Sequence, residues 1–377
     1  MFPSREWLST RLKEGKRLSI YFGIDPTGPT LHLGHVIALR KLREFQDLGH
    51  QVILLIGDFT GLVGDPTGKA STRKRLTREE LHKNSNLYQE QASHFIKFSG
   101  SNPALLKYNS EWLSKMNFED VLNLSAHMTV EQMLKRDMFE ERQKAGQPIF
   151  IHEFLYPLLQ GYDSVAMEVD GEIGGNDQTF NMLVGRDLLK SLKQKDKFVF
   201  AVKLLTDATG KKMGKTEGNM LTLLDSPEEM FGKVMSWTDG MILPGFELIT
   251  DVPLLEIEQA LAAGTNPKLL KERLAKEIVT SYHGAQAAEA AHSSFSSTFS
   301  SGGVPEHLKE VVVSSGALLA DVLKQEGLIE SNSEFRRLIA EGAVEEVGGA
   351  KISDARVVLD HSATYKVGKH RFLKVKI

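Results

Sequence analysis

Apolar residues in the N-terminal part of the chain fall into two patterns, short continuous runs and helical spacing. Residues 18–24 and 51–56 are short, mainly aliphatic runs typical of buried strands, whereas apolar side chains recur at helical spacing over 33–48. This order predicts a β-α-β unit, which favours a parallel sheet with a ligand crevice beyond the carboxyl ends of its strands. The loops after Ile24 and Ile56 would line that crevice, and both are rich in Gly, Pro, Thr and Asp.

The central part of the chain predicts helices and then a return to the strand pattern. Residues at about 109–162 indicate helices, and 198–205 again indicate a strand. We therefore predict an α/β domain over 1–224, split by a helical insertion at about 109–162. Helix signals dominate afterwards and predict a small helical domain over 225–300, in which Asn266 followed by a proline is typical of a helix start.

The C-terminal part predicts a connection followed by a compact segment. Residues 293–303 are rich in Ser and Gly, which indicates an exposed connection, and we place a linker at 301–315. Compact patterning resumes over 316–377, where Ser331 is expected to open a capping box and Gly342 to end the helix. Two further strands are predicted there, at 357–359 and 372–377.

Composition narrows the function classes. The 377 residues include no cysteine, so thiolate metal sites, thiol nucleophiles and disulfides are excluded, and we expect a cytoplasmic protein. The longest aliphatic run, 52–56, is far shorter than the ~20 residues that cross a bilayer, so no membrane partner is expected. A net charge of −3 argues against holding nucleic acid by bulk positive charge, and DNA is not an expected partner.

The segment after the first predicted strand carries a pair of histidines. His32 and His35 share a face in the first turn of a helix, where unpaired N–H groups and the helix dipole favour phosphate. Gly34 lies between them and leaves room for a flat ligand. Such a pair also fits a structural contact or a metal site completed by Asp25, although the spacing matches no standard zinc pattern. Its position directly after a strand favours a nucleotide.

A second cluster combines lysines with glycines. Lys212 and Lys215 lie in a run with Gly210, Gly214 and Gly218, which suits a mobile loop that brings positive charge to a triphosphate. An ordinary solvated basic loop is the alternative. The run lacks the register of a Walker loop.

These two clusters resemble the signature motifs of class I aminoacyl-tRNA synthetases. His32-Leu33-Gly34-His35 resembles the HIGH motif, and Lys212-Met213-Gly214-Lys215-Thr216 resembles the KMSKS motif, in the same order. Three further segments resemble the tyrosyl-tRNA synthetase family: 61–69, 156–163 and 174–178. The resemblance covers essentially the whole chain and implies a Rossmann-like catalytic domain with an RNA-binding C-terminal part.

The resemblance implies a pocket for L-tyrosine. Its expected contacts are Tyr21 and Asp163 at the phenol, Asp65, Tyr156 and Gln160 at the ammonium group, and Gln178 by the carboxyl end. A carboxylate that accepts the phenolic hydrogen would be left unpaired by phenylalanine, which penalises that amino acid. For Tyr156 and Gln160 the alternative is one face of an ordinary amphipathic helix.

The resemblance also implies that ATP is the second substrate. The expected catalytic contacts are Thr27, His32 and His35 at the triphosphate, Lys212 and Lys215 over the pyrophosphate, and Lys69 and Arg73 as assisting cations. Asp25, Gly34, Gly175, Asp177 and Lys215 are the expected ATP-binding residues. No general base is needed because the attacking carboxylate is already ionised. Mg²⁺ would accompany ATP through its phosphate oxygens, without a protein metal site.

Two positions depart from the family pattern. Phe22 stands where many members have cysteine, so any side-chain hydrogen bond to ribose from that position is lost. Gly214 replaces the first serine of the loop motif, which removes a hydroxyl but keeps both lysines.

The C-terminal segment resembles the S4 RNA-binding domain, which implies tRNA(Tyr) as a partner. Arg336, Arg337, Lys369 and Arg371 are the expected RNA-binding residues, and no acidic residue follows Asp360. A solvated pair of strands is the alternative explanation for this basic tail. The helical domain is expected to help bind the anticodon region.

The family is homodimeric through its helical insertion, so a homodimer is expected. Phe150, Ile151, Phe154 and Leu155 could form that contact or could belong to the core of one chain. Rival assignments are a tryptophanyl-tRNA synthetase, a non-catalytic RNA-binding protein on the same fold, and another adenylyl-transferring enzyme. The S4-like tail and the segment Thr179-Phe180-Asn181 argue against the first, the intact motifs against the second, and the RNA-binding tail against the third.

Overall fold

The computed structural model describes residues 1–67, 76–206, 220–300, 310–329, 331–368 and 371–377. Contacts divide the chain into two compact units, Met1–Ala285 and Gln286–Ile377. Each unit has its own sheet.

A five-stranded parallel sheet forms the centre of the first unit. Its strands are β1 (Ser19–Ile24), β2 (Gln51–Ile56), β3 (Leu105–Tyr108), β4 (Gly171–Gly175) and β5 (Phe198–Val202). They lie in the order β3-β2-β1-β4-β5, and every neighbouring pair is parallel. The predicted parallel sheet and β-α-β unit are confirmed. Because the chain adds β2 and β3 on one side of β1 and β4 on the other, the topology reverses beside β1, which is where such sheets bind ligands.

Helices lie before and between these strands and continue after them along the chain, and the last helix of this series, except for its first residue, belongs to the second unit. In chain order they are α1 (Arg5–Lys13), α2 (Leu33–Asp47), α3 (Thr60–Val63), α4 (Arg78–Ser85), α5 (Tyr88–Ala92), α6 (Ser110–Leu113), α7 (Phe118–Ser125), α8 (Val130–Leu134), α9 (Asp137–Lys144), α10 (Ile151–Met167), α11 (Thr179–Lys193), α12 (Pro227–Met235), α13 (Ile242–Ile249), α14 (Leu254–Ala262), α15 (Pro267–His283) and α16 (Ala285–Ser300). Helices α6 to α10 lie between β3 and β4 in the chain, as expected of a helical insertion. Helix α15 begins as predicted, because the Asn266 side chain accepts a hydrogen bond from the Lys268 backbone N–H at 2.9 Å.

The core of the first unit lies on both faces of the sheet. In β2 every residue except Gln51 is buried, as expected for a central parallel strand. Tyr21, Ile53 and Leu55 form a buried cluster on one face with Val169. Helices α10 and α11 carry a neighbouring apolar cluster that includes Leu158 and other aliphatic side chains.

The second unit contains a mixed four-stranded sheet. Its elements are β6 (Glu310–Val312), α17 (Leu319–Gln325), α18 (Asn332–Ala340), β7 (Val344–Glu346), β8 (Ala363–Val367) and β9 (Arg371–Lys376). The strand order is β6-β9-β8-β7, with β6 parallel to β9 and the other pairs antiparallel. A buried apolar cluster connects this sheet with α17 and α18, so the segment has the α+β character that was predicted.

Three local predictions for the C-terminal part differ from the structure. Residues 293–300 continue α16, because the alanines that open this helix have the highest helix propensity and serine is only mildly unfavourable. Strand β6 lies inside the range predicted as a linker. Residues 357–359 form only an isolated bridge at Val358, because they pair with residues 316–319 at the start of α17 and not with the sheet.

Candidate active site

A glycine in the central strand forms the floor of the candidate pocket. Tyr21, Gly23 and Asp25 point to the same face of β1 because side chains alternate along a strand. Gly23 is exposed although both its neighbours are buried. A Cβ atom at Gly23 would meet the Tyr21 side chain at 3.7 Å and the Leu55 side chain at 3.9 Å, which are ordinary van der Waals contacts. Phe22 is buried on the opposite face, so this departure from the family pattern adds no bulk to the pocket.

A buried carboxylate lies at one end of this pocket. Asp163 on α10 is 2% exposed, and its two oxygens accept hydrogen bonds from Trp112 Nε1 at 2.8 Å and from Asn109 Nδ2 at 3.2 Å. Burial raises the pKa of Asp163 well above its ordinary value, although these two N–H donors favour the ionised form. Because both partners can only donate, the carboxylate is held as an acceptor.

Tyr21 lies beside this carboxylate with its hydroxyl 3.0 Å from Ser164 Oγ. Burial, followed by the negative charges of Glu172 and Asp163, raises the pKa of Tyr21 well above its ordinary value. The phenol therefore stays protonated. The structure thus brings together the pair that the sequence assigned to a substrate phenol.

The other end of the pocket is a chain of amides that reaches Asp65. Asn181 Nδ2 donates to Gln160 Oε1 at 3.0 Å and to Gln178 Oε1 at 2.9 Å. Gln178 Nε2 in turn donates to Asp65 Oδ2 at 2.8 Å. Three residues expected at the amino and carboxyl groups of the amino acid are therefore connected through one asparagine that the sequence did not single out.

Asp25 is held by two hydroxyl groups at the carboxyl end of β1. Tyr156 donates to Asp25 Oδ2 at 2.9 Å, and Thr60 Oγ1 donates to Asp25 Oδ1 at 2.7 Å. Burial, then the charges of Asp25 and Asp65, raises the pKa of Tyr156, so its hydroxyl keeps its proton. Gly57 permits this arrangement, because a Cβ atom there would lie 2.0 Å from Asp25 Oδ1.

The two histidines cap the N-terminus of α2. His32 Nδ1 accepts from the Gly34 N–H at 3.2 Å, and His35 Nδ1 accepts from the His32 N–H at 3.1 Å. The two rings lie 3.9 Å apart between centroids. Since both Nδ1 atoms accept, a neutral ring at either position carries its hydrogen on Nε2. A Cβ atom at Gly34 would lie 3.0 Å from the His32 ring, which explains the glycine between them.

The remaining ATP-binding candidates surround this end of the sheet. Thr27 is exposed, and its backbone N–H donates to the Asp25 carbonyl at 2.7 Å. Asp177 lies in a short 3-10 turn that directly follows β4, and a Cβ atom at Gly175 would lie 2.4 Å from Asp177 Oδ1. The absence of a side chain at Gly175 therefore lets Asp177 fold back toward the strand end.

The chain after residue 219 returns to the histidine motif. The Leu33 N–H donates to the Leu221 carbonyl at 3.2 Å, and the Leu223 N–H donates to the Leu31 carbonyl at 3.0 Å. This pairing places residues 221–223 beside the start of α2. The predicted cations Lys69, Arg73, Lys212 and Lys215, together with Gly214 and Lys369, lie outside the described residues.

Several residues of the site were missed by the sequence analysis. Asn109 directly follows β3 and is fully buried, and its amide connects Asp163 to Thr60. Its place after a strand was a signal that could have identified it. Arg136 is buried and donates through Nη2 to Thr67 Oγ1 at 2.9 Å, and no comparable signal marks it in the sequence. Burial, opposed by the charge of Asp65, lowers the pKa of Arg136 to about 10.

The predicted RNA-binding arginines fall into two groups. Arg336 and Arg337 are exposed on α18, as the sequence predicted. Arg371 donates to Glu334 Oε1 at 2.9 Å and to the Leu328 carbonyl, so it also holds β9 against the loop before α18. The ammonium group of Lys374 lies 2.5 Å from a carboxylate oxygen of Glu310, which offsets part of the basic charge of the tail.

Comparisons with known proteins point to one family. A model of the family "tRNA synthetases class I (W and Y)" matches residues 13–300. Tyrosine--tRNA ligase 2 of Vibrio cholerae is 46% identical over 100% of this chain and 95% of its own length. Tyrosine--tRNA ligase of Haemophilus ducreyi is 45% identical over 99% of this chain and 95% of its own length. No helix in the described part of the chain is long and apolar enough to cross a membrane.

Solved structures support the fold. The C-terminally truncated mitochondrial tyrosyl-tRNA synthetase of Aspergillus nidulans has a TM-score of 0.64 at 23% identity, over 78% of this chain and 90% of its own. The tyrosyl-tRNA synthetase of Archaeoglobus fulgidus, complexed with L-tyrosine, has a TM-score of 0.61 at 22% identity, over 76% of this chain and 94% of its own. The rival assignment to a tryptophanyl enzyme finds no support among these relatives. The chain therefore belongs to the tyrosyl-tRNA synthetases, the tyrosine–tRNA ligases of class I.

Proposed function

We propose that the pocket above Gly23 binds L-tyrosine with its phenol between Tyr21 and Asp163. The observation that carries this proposal is the Asp163 carboxylate, which two N–H donors hold as an acceptor beside a protonated phenol. A substrate hydroxyl placed there can donate to Asp163 and accept from Tyr21, so both of its hydrogen-bonding roles are met. A substrate without that hydroxyl would leave a buried acceptor unpaired, which costs ~1–3 kcal/mol.

The amino and carboxyl groups of tyrosine would lie toward the amide chain. Gln160, Gln178 and Asp65 form a connected set of hydrogen-bonding groups on this side of the pocket. The Asp65 carboxylate supplies the negative charge that an ammonium group requires. Tyr156 is hydrogen-bonded to Asp25 in this structure, so its contact with the substrate ammonium group remains a prediction.

The reaction joins this tyrosine to tRNA in two steps, with ATP as the substrate that class I synthetases use. In the first, the tyrosine carboxylate attacks the α-phosphate of ATP and pyrophosphate leaves. The chain would contribute alignment through the rings of His32 and His35, which lie at a helix N-terminus where the dipole favours phosphate. Thr27, Gly34, Asp25, Gly175 and Asp177 are the proposed contacts to the rest of ATP.

The cations for the leaving pyrophosphate would come from the segment before residue 220. Since residues 221–223 pair with the start of α2, Lys215 is only a few positions from a point fixed beside His32. Lys212 would act with it, and Lys69 and Arg73 remain predicted assistants. Among the described residues no group of three or more His, Asp or Glu side chains could hold a metal ion. We propose that Mg²⁺ enters with ATP, bound through the phosphate oxygens.

Amino-acid-dependent exchange of labelled pyrophosphate into ATP tests the first step. Exchange with tyrosine and not with phenylalanine or tryptophan is expected. Asp163→Ala should raise the KM for tyrosine strongly and leave the KM for ATP unchanged, whereas Asp187→Ala, at an exposed carboxylate on α11, should change neither. Exchange with tryptophan alone, or an equal loss of both affinities in Asp163→Ala, would contradict this assignment.

The second step transfers the tyrosyl group to the 3′-terminal adenosine of tRNA(Tyr). We propose that residues 225–300 and an S4-like C-terminal domain over 316–377 bind the tRNA in the cytoplasm, with Arg336 and Arg337 among the contacts. Deletion of the residues after 305 should spare pyrophosphate exchange and impair tRNA charging. Arg336→Glu combined with Arg337→Glu should raise the KM for tRNA in the same way. Normal tRNA charging by the truncated protein would contradict an RNA-binding role for the C-terminal tail.

We also propose a homodimer formed through the helical insertion. Ile151 is 82% exposed, and Phe118 and Phe150 are exposed on the same insertion. Phe154 and Leu155 instead pack against the apolar cluster of α10 and α11. In sedimentation experiments Ile151→Glu should dissociate the dimer. Leu255→Glu, at another exposed aliphatic residue, on α14, should leave it intact.

A further inference from the structure

A lysine is completely buried beneath the candidate tyrosine pocket. Lys197 directly precedes β5, is 0% exposed, and has its Nζ atom 2.7 Å from Ser164 Oγ and in a short contact with Glu172. Its Nζ atom also lies 5.7 Å from the centre of the Tyr21 ring. Lysine is almost never fully buried unless it is paired, because removing an ammonium group from water is costly.

The fold makes a specific opening for this ammonium group. A Cβ atom at Gly185 of α11 would lie 2.8 Å from Lys197 Nζ and 2.9 Å from Ser164 Oγ. The same atom would lie 3.2 Å from the Gly161 Cα of α10. Any side chain at Gly185 would therefore displace the lysine or separate the two helices that carry the pocket residues.

Lys197 is connected to the phenol end of the pocket through Ser164. Lys197 can only donate hydrogen bonds, so Ser164 Oγ accepts from it. Tyr21 is the remaining side chain hydrogen-bonded to Ser164 within the described structure, at 3.0 Å. The geometry allows either hydroxyl of this contact to donate, and Ser164, which accepts from Lys197, has its own hydrogen available for the Tyr21 oxygen. Donation from Ser164 leaves the Tyr21 hydrogen for a group in the pocket.

Glu172, the partner of Lys197, is connected to the amino end of the pocket through Gln160. Gln160 Nε2 donates to Glu172 Oε1 at 3.1 Å, while Gln160 Oε1 accepts from Asn181. A carboxylate accepts only, so Glu172 fixes which end of the Gln160 amide is nitrogen. The amide oxygen is thereby kept on the side away from Glu172, where the proposed function places an ammonium donor.

We propose that the buried Lys197–Glu172 pair is a positioning device that sets the hydrogen-bond direction at both ends of the tyrosine pocket. Through Ser164 it makes Tyr21 a donor to the substrate phenol oxygen, and through Gln160 it presents an acceptor to the substrate ammonium group. Lys197, Glu172 and Ser164 are thus determinants of amino acid selectivity that do not touch the substrate. The inference rests on the proposed function of this pocket.

The decisive experiment measures selectivity in pyrophosphate exchange with the full-length protein. Lys197→Met should lower kcat/KM for tyrosine by about tenfold, the effect of losing one hydrogen bond, and leave the KM for ATP unchanged. It should also lower the ratio of kcat/KM for tyrosine to kcat/KM for phenylalanine, because the direction of the Tyr21 hydroxyl hydrogen is no longer fixed. Lys203→Met, at an exposed lysine just beyond the same strand, is the matched control and should change none of these values.

A second variant avoids leaving Glu172 without its partner. Ser164→Ala keeps the ion pair and removes only the link to Tyr21, so it should reduce tyrosine selectivity with unchanged thermal stability to within a few degrees. If Ser164 acts only through the Tyr21 hydroxyl, Ser164→Ala in a Tyr21→Phe background should add no further loss. A merely structural serine would give the same loss in both backgrounds.

The outcomes separate this inference from the proposed function. A wild-type protein without tyrosine-dependent exchange would overturn both. Normal exchange with tyrosine, together with unchanged selectivity in Lys197→Met and in Ser164→Ala, would overturn the positioning device alone. Additive losses for Ser164→Ala and Tyr21→Phe would overturn the route through Tyr21.

Discussion

A buried ion pair fixes the start of α10, the helix that carries three of the six proposed tyrosine contacts. Glu153, in the first turn of α10, is 3% exposed, and Arg142 at the end of α9 is 2% exposed. Arg142 donates through Nη1 to Glu153 Oε1 at 2.6 Å and through Nη2 to Glu153 Oε2 at 3.0 Å. The same carboxylate accepts from the Phe150 N–H at 2.8 Å, so it also caps the helix.

Replacing Glu153 by alanine should be strongly destabilising. Removal of one partner leaves the Arg142 guanidinium buried without its counterion, which typically costs ~3–5 kcal/mol. Loss of the acceptor at a helix N-terminus adds about 0.5–2 kcal/mol to this cost. Because a domain is stable by only ~5–15 kcal/mol, the variant should lose a large fraction of its stability. The double variant Arg142→Met with Glu153→Leu should lose much less, since it leaves no unpaired charge.

Tryptophan fluorescence during urea unfolding measures this effect. The three tryptophans of the chain, Trp7, Trp112 and Trp237, all lie in the unit Met1–Ala285, so their emission reports that unit alone. The cycle formed by the two single variants and the double variant gives the coupling energy. A coupling energy below ~1 kcal/mol would refute the reasoning. It would mean that the loss of stability on removing either residue is the same whether or not the other residue is present.

The same pair predicts how stability depends on pH. Burial raises the pKa of Glu153, but hydrogen bonds from Arg142 and from the Phe150 N–H outweigh it, and the net pKa is lowered from 4.5. A lowered folded-state pKa means that the unfolded chain binds the proton more readily. The stability that the ionised Glu153 carboxylate contributes is therefore fully present above pH 4.5. It is lost as the pH falls through the folded-state pKa of Glu153. The Arg142→Met/Glu153→Leu variant should lose less stability than the wild type in that acid range.

Two further predictions concern other parts of the chain. Gly171→Ala should destabilise the first unit by ~1–3 kcal/mol in urea unfolding, because its Cβ atom would lie 2.1 Å from the Phe198 ring, and the penalty should shrink in a Phe198→Leu background. An equal penalty in both backgrounds would exclude that clash as the cause. Hydrogen bonds from His361 to Glu346 and then to Asp360 raise the pKa of His361 above 6.5, so its contribution to stability is present below pH 6.5 and is lost as pH rises through the folded value. In NMR titrations Glu346→Gln should lower this pKa, and an unchanged value would show that the contact is absent in solution.

The elements with regular patterning could be predicted closely from the sequence. The strands expected at 18–24 and 51–56 differ from β1 and β2 by one residue at most, since a parallel sheet buries both faces of its central strands and requires continuous apolar runs. The N-cap at Asn266 was equally readable, because the capping side chain is a local feature. At Ser331 the predicted helix N-cap forms. The Glu334 N–H donates to Ser331 Oγ at 3.2 Å, while the Glu334 carboxylate bonds to Arg371.

The supporting groups of the site could not be predicted in the same way. Asp163, for example, depends on Asn109 and Trp112, which are more than fifty positions away in the chain. The Lys197–Glu172 pair joins two neighbouring strands, and nothing in either segment alone shows that both side chains are buried. Family resemblance identified residues expected to touch substrate. The residues that orient them emerge only when distant segments pack.

The charge of the C-terminal tail shows a related limit. In the sequence the tail after Asp360 is purely basic, which suggests one strongly positive surface. In the fold, Lys374 pairs with Glu310 and Arg371 pairs with Glu334, both acidic residues supplied by earlier segments. Hydrogen bonds from Lys374 and Lys376 lower the pKa of Glu310 to about 2. Arg336 and Arg337, which project from α18, are therefore the better test of RNA binding.

The close crossing of α10 and α11 bears on how the substrate range of this enzyme could evolve or be engineered. A Cβ atom at Gly161 would lie 3.1 Å from the Gly185 backbone nitrogen, so the two helices already touch through their main chains. A larger amino acid cannot be accommodated by pushing one helix outward without giving up this contact and the lysine beneath it. New specificity would instead have to come from shortening side chains that face the pocket. Libraries that keep both glycines and vary only those facing positions should retain far more folded members than libraries that include the glycines.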